Sequence, residues 1–247
     1  MGALFMHDSD EVGGALKAVK EDGKPHILSV SPSYLKAGAS TDVTIHVTIL
    51  GTGLQGEVSL GDRVKVGRVV SRAAGKVVVR ATAASDAKAG RQEVRVGDAT
   101  AADALAVYCR LARVEVTPSY SIARIGGNGT SVPKVGANHR AVGFDAGKDG
   151  VPGTEDDVRL GFMPAAWTVK RFDEIAEHDH DVKHAGMMDA ATGFFVPGEA
   201  GPNPERPMSA NNVGNLTVVG TVKDGGERGG ASGGHGTALH LLPDAVT

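Results

Sequence analysis

Thr41-Asp42-Val43-Thr44-Ile45-His46-Val47-Thr48-Ile49 is the stretch that decides the fold. Its apolar residues fall at every second position, so Val43, Ile45, Val47 and Ile49 share one face of an extended chain and polar residues share the other. That alternation is the mark of a strand half buried in a sheet. Working outward, residues 27–30, 57–60, 64–70, 76–81, 91–96 and 104–108 are further short runs, punctuated by Gly61-Asp62, Ala74-Gly75, Ala89-Gly90 and Gly97-Asp98. Short strands at such near-regular spacing predict an antiparallel sandwich over residues 26–110. Ser31-Pro32 ends the first edge strand because proline has no N–H to give a ladder, Gly38 turns the chain, and Gly51, Gly53 and Gly56 permit tight bends.

The whole chain agrees with this reading. Its 247 residues include 35 Gly and 11 Pro but only 6 Phe, 3 Tyr and 1 Trp, a balance that disfavours long helices and favours short strands with many turns. With 41% hydrophobic residues there is enough apolar surface to fold, and the length suits two modest domains. Residues 1–25 read as a leader or the remnant of a preceding domain: a charged stretch, His7-Asp8-Ser9-Asp10-Glu11, then Gly13-Gly14 and a weak apolar run. A boundary falls near Arg110. Residues 111–247 carry candidate strands at 111–116, 132–144, 158–162, 166–172, 193–196 and 215–222, with long polar connections. They close on Thr237-Ala238-Leu239-His240-Leu241-Leu242, read as an incomplete final strand after the Gly-rich stretch 224–236. The expected class is all-β, two immunoglobulin-like antiparallel β-sandwich domains in tandem.

Composition also excludes function classes. Lys and Arg total 26 against 29 Asp and Glu, a formal net charge of -3, which leaves no broad basic surface for nucleic acid. No run reaches the roughly 18 apolar residues of a membrane span, and the first ten residues lack the basic region and apolar core of a signal peptide. A single cysteine, Cys109, rules out an internal disulfide, a four-thiolate zinc or iron-sulfur site, and the cysteine pair that attaches c-type haem. No G-x-S-x-G elbow marks a hydrolase nucleophile. Gly126-Gly127-Asn128-Gly129 lacks the G-x-G-x-x-G spacing and the following helix of a dinucleotide site.

Two clusters and one residue are candidates for chemistry. Asp145, Asp149, Glu155, Asp156 and Asp157 fall in a glycine-punctuated loop; carboxylates on a flexible backbone suit calcium, although the spacing is not that of an EF-hand. The competing reading is a solvated loop whose Asp side chains cap turns. His178, His180 and His184, interleaved with Glu177, Asp179 and Asp181, suit zinc by residue type; an exposed polar loop is the reading preferred. Trp167, the one tryptophan, is expected in the core.

Residues 26–108, with Ile27-Leu28-Ser29-Val30-Ser31-Pro32 and the closing Ala106-Val107-Tyr108, resemble the small immunoglobulin-like domains of the IPT/TIG type. Further on, Asp149-Gly150, Gly153-Thr154, Asp156-Asp157, Pro164-Ala165, Trp167, Asp181-Val182-Lys183, Ala185-Gly186, Gly201-Pro202-Asn203-Pro204-Glu205-Arg206, Asn211-Asn212 and Gly214-Asn215-Leu216 occur in one order. In that order they resemble the C-terminal domains of quinohemoprotein amine dehydrogenase alpha subunits. The first sandwich looks like that subunit's third domain, residues from Leu111 like its fourth, and residues 4–14 like the end of its second. The resemblance implies a periplasmic assembly whose dihaem cytochrome domain and cysteine tryptophylquinone subunit, the oxidant of primary amines, lie elsewhere. It assigns no catalytic residue here, so the expected role is that of non-catalytic scaffold domains, a C-terminal piece or split subunit, with other subunits of the assembly as partners. Subunit contacts are expected at residues 201–206 and at Asn211-Asn212, turn geometry being the competing account of their Pro, Gly and Asn. An independent immunoglobulin-like adhesion or ligand-binding module is the alternative, and a metalloenzyme built on the His178 cluster ranks last.

Overall fold

The computed structural model describes residues 24–48, 56–126, 132–224 and 237–242, the last six as backbone alone. The leader up to residue 23, Ile49, Gly51, Gly53, Gly127, Gly129 and residues 225–236 lie outside the described residues. The chain divides into one unit of residues 1–113 and 143–162 and another of residues 114–142 and 163–247.

In the first unit the alternating stretch forms β3 (Ser40–Val47). It lies between β1 (Ile27–Ser31) and β6 (Lys76–Ala83), with β5 (Val64–Ala73) at the edge of the same sheet. Pairing puts Val43 opposite Val79 and Ile45 opposite Val77, and all four side chains are fully buried. The second sheet has the order β2 (Tyr34–Lys36), β8 (Ala99–Tyr108), β7 (Gly90–Val96), β4 (Val58–Ser59). The core between them consists of Val, Leu, Ile and Ala, which is how a sandwich poor in aromatics fills its interior. Pro32, which cannot continue the β1 ladder, separates β1 in one sheet from β2 in the other, and β2 runs parallel to β8.

The second unit repeats this device. Val30-Ser31-Pro32-Ser33-Tyr34 recurs as Val116-Thr117-Pro118-Ser119-Tyr120, so that β9 (Arg113–Thr117) is followed across Pro118 by β10 (Tyr120–Arg124). β10 is parallel to β18 (Thr237–Leu242), the last strand of the chain, with Tyr120 opposite Ala238 as Tyr34 is opposite Ala106. The closing run, expected as an incomplete strand, is therefore paired on both sides, because β17 (Asn215–Val222) flanks it antiparallel. β14 (Ala165–Arg171) completes that sheet in the order β10-β18-β17-β14. The opposing sheet has the order β11 (Ala137–Asn138), β16 (Phe194–Pro197), β15 (Gly186–Met188). β12 (Arg140–Asp145) and β13 (Val158–Met163) join β9 in a three-stranded sheet, β13-β12-β9.

Residues 143–162 pack with the first unit. There Asp145 Oδ2 accepts the backbone N–H groups of Cys109 and Arg110, and the Ser33 hydroxyl donates to Leu160 O. The histidine-rich segment, read as loop, forms α1 (Glu174–His178) and α2 (Asp181–His184). Asp173 starts α1 by accepting the Ala176 N–H at 2.8 Å, the standard N-terminal cap. No helix among the described residues is long and apolar enough to cross a membrane.

Candidate functional site

The acidic loop is organised by its own backbone. Asp145, 5% exposed, accepts Cys109 N–H at 2.8 Å and Arg110 N–H at 3.0 Å on Oδ2, and Gly147 N–H at 3.0 Å on Oδ1. Asp156 Oδ2 accepts the N–H groups of Lys148 and Asp149, and its Oδ1 accepts the Thr154 hydroxyl. The Thr154 hydroxyl, then the Asp149 and Lys148 N–H groups, hold the Asp156 carboxyl below the usual carboxylate range. Asp157 Oδ2 accepts Gly153 N–H and the Arg113 guanidinium, both at 2.9 Å. Burial opposes the Asp157 charge, but those donors outweigh it and its carboxyl also titrates below the usual range. Arg113 in turn stacks 4.1 Å over the Phe144 ring. Asp149 Oδ1 caps Val151 N–H, and Glu155 is exposed. Gly147 takes φ +64 with an added Cβ only 2.2 Å from Asp156 O, so only glycine fits that bend.

These contacts occupy most of the loop's carboxylate oxygens. Calcium takes six to eight oxygens, whereas of the four aspartates only Asp149 Oδ2 and the buried Asp157 Oδ1 accept no hydrogen bond. Among the described residues no three His, Cys, Asp or Glu side chains gather as a metal donor set. Chelation with EDTA is accordingly expected to leave the unfolding midpoint within about 1 °C of its value in calcium, read by thermal denaturation. A fall of several degrees on chelation would instead support calcium in this loop.

The three histidines of the other cluster diverge. His178 is 74% exposed and pairs with Asp179, His180 occupies a left-handed turn at φ +58 between the helices, and His184 is turned inward with 9% of its side chain exposed. What the segment does build is a buried ion pair that sequence reasoning missed. The side chains of Arg206 and Asp181 are 2% and 5% exposed. The Arg206 Nη2 donates to Asp181 Oδ1, its Nε to Asp179 O, and its Nη1 to Asn211 O and Val213 O, both at 2.6 Å. Asp181 Oδ2 accepts Asn215 N–H at 2.7 Å. Burial raises the Asp181 carboxyl, against the Asn215 N–H and the Arg206 charge. Gly214 lies so close that a Cβ there would stand 2.3 Å from Asp181 Cγ.

Within the words expected to contact other subunits, Arg206 is buried and Asn203 and Asn212 bond to each other, while Pro202, Pro204, Glu205 and Asn211 are exposed. Their neighbour Met208 is fully exposed in a left-handed backbone at φ +57. A second apolar surface lies on the β15–β16 sheet. Met187 is directly opposite Val196, and Phe194 is two residues along on the same face; they are 72%, 41% and 43% exposed, while Phe195 between them is fully buried. Ile175, Val182 and Phe172 of the same unit are exposed as well.

Trp167 is buried as expected, its ring against the backbone of Gly220 and Gly193. Beside it His139, 1% exposed, faces the Ser121 hydroxyl at 2.9 Å through Nε2 and donates from Nδ1 to Gly193 O at 3.2 Å. Burial lowers its pKa, partly offset by the Gly193 bond, so it is a neutral core histidine. Cys109 is exposed and its thiol donates to Ala87 O.

The family model for quinohemoprotein amine dehydrogenase, alpha subunit domain III, matches residues 24–109, and that for domain IV of the same subunit matches residues 114–234. No curated protein matches the chain. Among solved structures, domains 5-6 of the S-layer protein SbsC share 11% identity over 90% of this chain and 100% of that one, with a TM-score of 0.27. The Escherichia coli adhesin FdeC shares 17% identity over 88% and 64%, with a TM-score of 0.25. The tandem Ig repeats of Dlar share 10% over 89% and 98%, with a TM-score of 0.24. Likeness at that level says nothing of function.

Proposed function

The chain belongs to the quinohemoprotein amine dehydrogenase alpha subunits, of which it carries domains III and IV, and from this premise we propose that it is a non-catalytic scaffold in an amine-oxidising periplasmic assembly. The observation that carries the reading is the exposed apolar face of Met187, Phe194 and Val196. A domain that ends in water covers such a face with polar groups, and one that binds a neighbour does not. Met208 is a further exposed methionine of the same unit, methionine being adaptable to a partner's contour.

The residues present fit neither redox group of the family. Attachment of c-type haem needs a pair of cysteines and the chain has one. A tryptophylquinone needs an indole open to a cysteine, while Trp167 is enclosed against Gly193 and Gly220 and the Cys109 thiol is bonded to Ala87 O. On this reading both groups are carried outside these residues. Affinity purification from the native host is expected to recover a haem protein, read by its Soret absorbance, and a small quinone-bearing subunit, read by intact mass. Met187→Asp combined with Met208→Asp, both at highly exposed positions, should reduce that recovery at least about tenfold with the unfolding midpoint unchanged. Recovery of the chain without haem or quinone would overturn the scaffold reading.

A further inference from the structure

We propose that His184 is a pH-sensitive latch on the Asn203 turn of the connection between β16 and β17: neutral, its Nδ1 accepts the Asn203 side-chain amide and holds that turn against α2, and protonated, it loses that acceptor and loosens the turn while Arg206 keeps the rest of the connection in place. The inference concerns the chain alone and does not depend on the scaffold reading.

The orientation of every amide in the latch is determined by groups that have one role only. Asn212 Nδ2 donates to Glu199 O at 2.8 Å, so Asn212 presents Oδ1 to Asn203. Asn203 Oδ1 accepts the Glu205 backbone N–H at 2.9 Å. The Asn203 amide therefore has its Nδ2 on the other side, where it donates to Asn212 Oδ1 at 2.8 Å and meets His184 Nδ1 at 3.1 Å. His184 Nδ1 must be an unprotonated acceptor. An imidazolium would set N–H against N–H, and Asn203 cannot turn over without breaking its bonds to Glu205 and Asn212. The connection is held to the helices independently by Arg206, which donates to Asp181 Oδ1 and Asp179 O, by Lys183 Nζ to Glu205 Oε2 at 2.6 Å and by Gly198 N–H to Ala185 O, and within itself by Asn203 N–H to Ala210 O and Arg206 N–H to Asn203 O, so His184 acts through Asn203 on the turn around that residue.

The charges around the ring favour release. Burial comes first in lowering the His184 pKa, then Lys183, Arg206 and His180; Glu205, with Oε2 4.0 Å from His184 Nε2, opposes them. Glu205 is already held by Lys183 Nζ at 2.6 Å, which keeps its carboxyl below the usual range and ionised throughout the window. Of the other acids of the helix pair and its caps, Asp179 is bonded to His178, Asp181 to Arg206 and Glu177 to Arg171, and Glu174 is exposed in the first turn of α1. Because the folded form holds this histidine below its ordinary value, the latch is complete above the unfolded pKa of about 6.5 and is lost as the pH falls through the lower folded value.

Nuclear magnetic resonance of the full chain tests this. Between about pH 7.5 and pH 5, the Asn203 side-chain amide and the Glu205 backbone N–H should shift with the midpoint of the His184 ring. Exchange of the Glu205 and Arg206 amides, corrected for intrinsic rate, should rise at least about tenfold. His184→Gln, whose side-chain oxygen accepts without titrating, should abolish both responses. If the Asn203 and Glu205 signals fail to follow the His184 ring, or if His184→Gln leaves the pH response intact because Asp181 is its source, the latch is overturned. Should His184→Gln fail to fold, the cotitration in the unaltered chain decides alone.

Discussion

Arg206→Met is expected to lower the stability of the second unit by about 3–5 kcal/mol, the cost of leaving one member of a buried ion pair without the other. The size follows from what the guanidinium alone satisfies: the Asp181 carboxylate and the carbonyls of Asp179, Asn211 and Val213. Methionine fills much of the volume but donates nothing, so an acid that burial already penalises keeps only the Asn215 N–H. The sole tryptophan, Trp167, lies buried in this unit and reports its unfolding by fluorescence in a denaturant titration. Combining Arg206→Met with Asp181→Leu should cost less than the two single changes added, by about 1–3 kcal/mol, because the buried charge is then gone. A single-variant loss under about 1 kcal/mol would mean that water reaches the pair, contrary to its burial.

That pair shows where reading residues in order stops. The strands of the first unit were legible because burial there is one-sided: β3 alternates in sequence, and its Val43, Ile45 and Val47 are buried in structure. β2 and β10 were not, being short strands whose pairing is parallel to a distant last strand. Yet a signal was present, since Val30-Ser31-Pro32-Ser33-Tyr34 and Val116-Thr117-Pro118-Ser119-Tyr120 repeat one another, and recognising either crossing implies the other. α1 had its signal too, in Asp173 before Glu174. Arg206 had none. In a run of Pro, Asn and Glu it reads as a solvated loop residue, and only the fold brings Asp181 to it from 25 residues away. The acidic loop failed differently: the carboxylates were found, but the backbone N–H groups that occupy them come from every residue type and leave no mark in a sequence.

Asp145→Ala is expected to destabilise the first unit by roughly 2–4 kcal/mol, a fall of about 10 °C in its unfolding midpoint, by removing the acceptor of three backbone N–H groups. Two of these, Cys109 and Arg110, leave β8 just beyond Tyr108, so the carboxylate ties the exit of the first sandwich to the end of β12. Asp145→Asn should recover only part of the loss, because an amide offers one oxygen where Oδ1 and Oδ2 both accept. Asp149→Ala is the discriminating control. Its carboxylate caps only Val151 N–H at an exposed position, so its removal should cost less than about 1 kcal/mol. A cation held jointly by Asp145, Asp149, Asp156 and Asp157 would make the two alanine variants comparably damaging and both dependent on calcium. A large gap between them, unchanged by EDTA, instead identifies Asp145 as a backbone cap and leaves Asp149 as an ordinary turn residue.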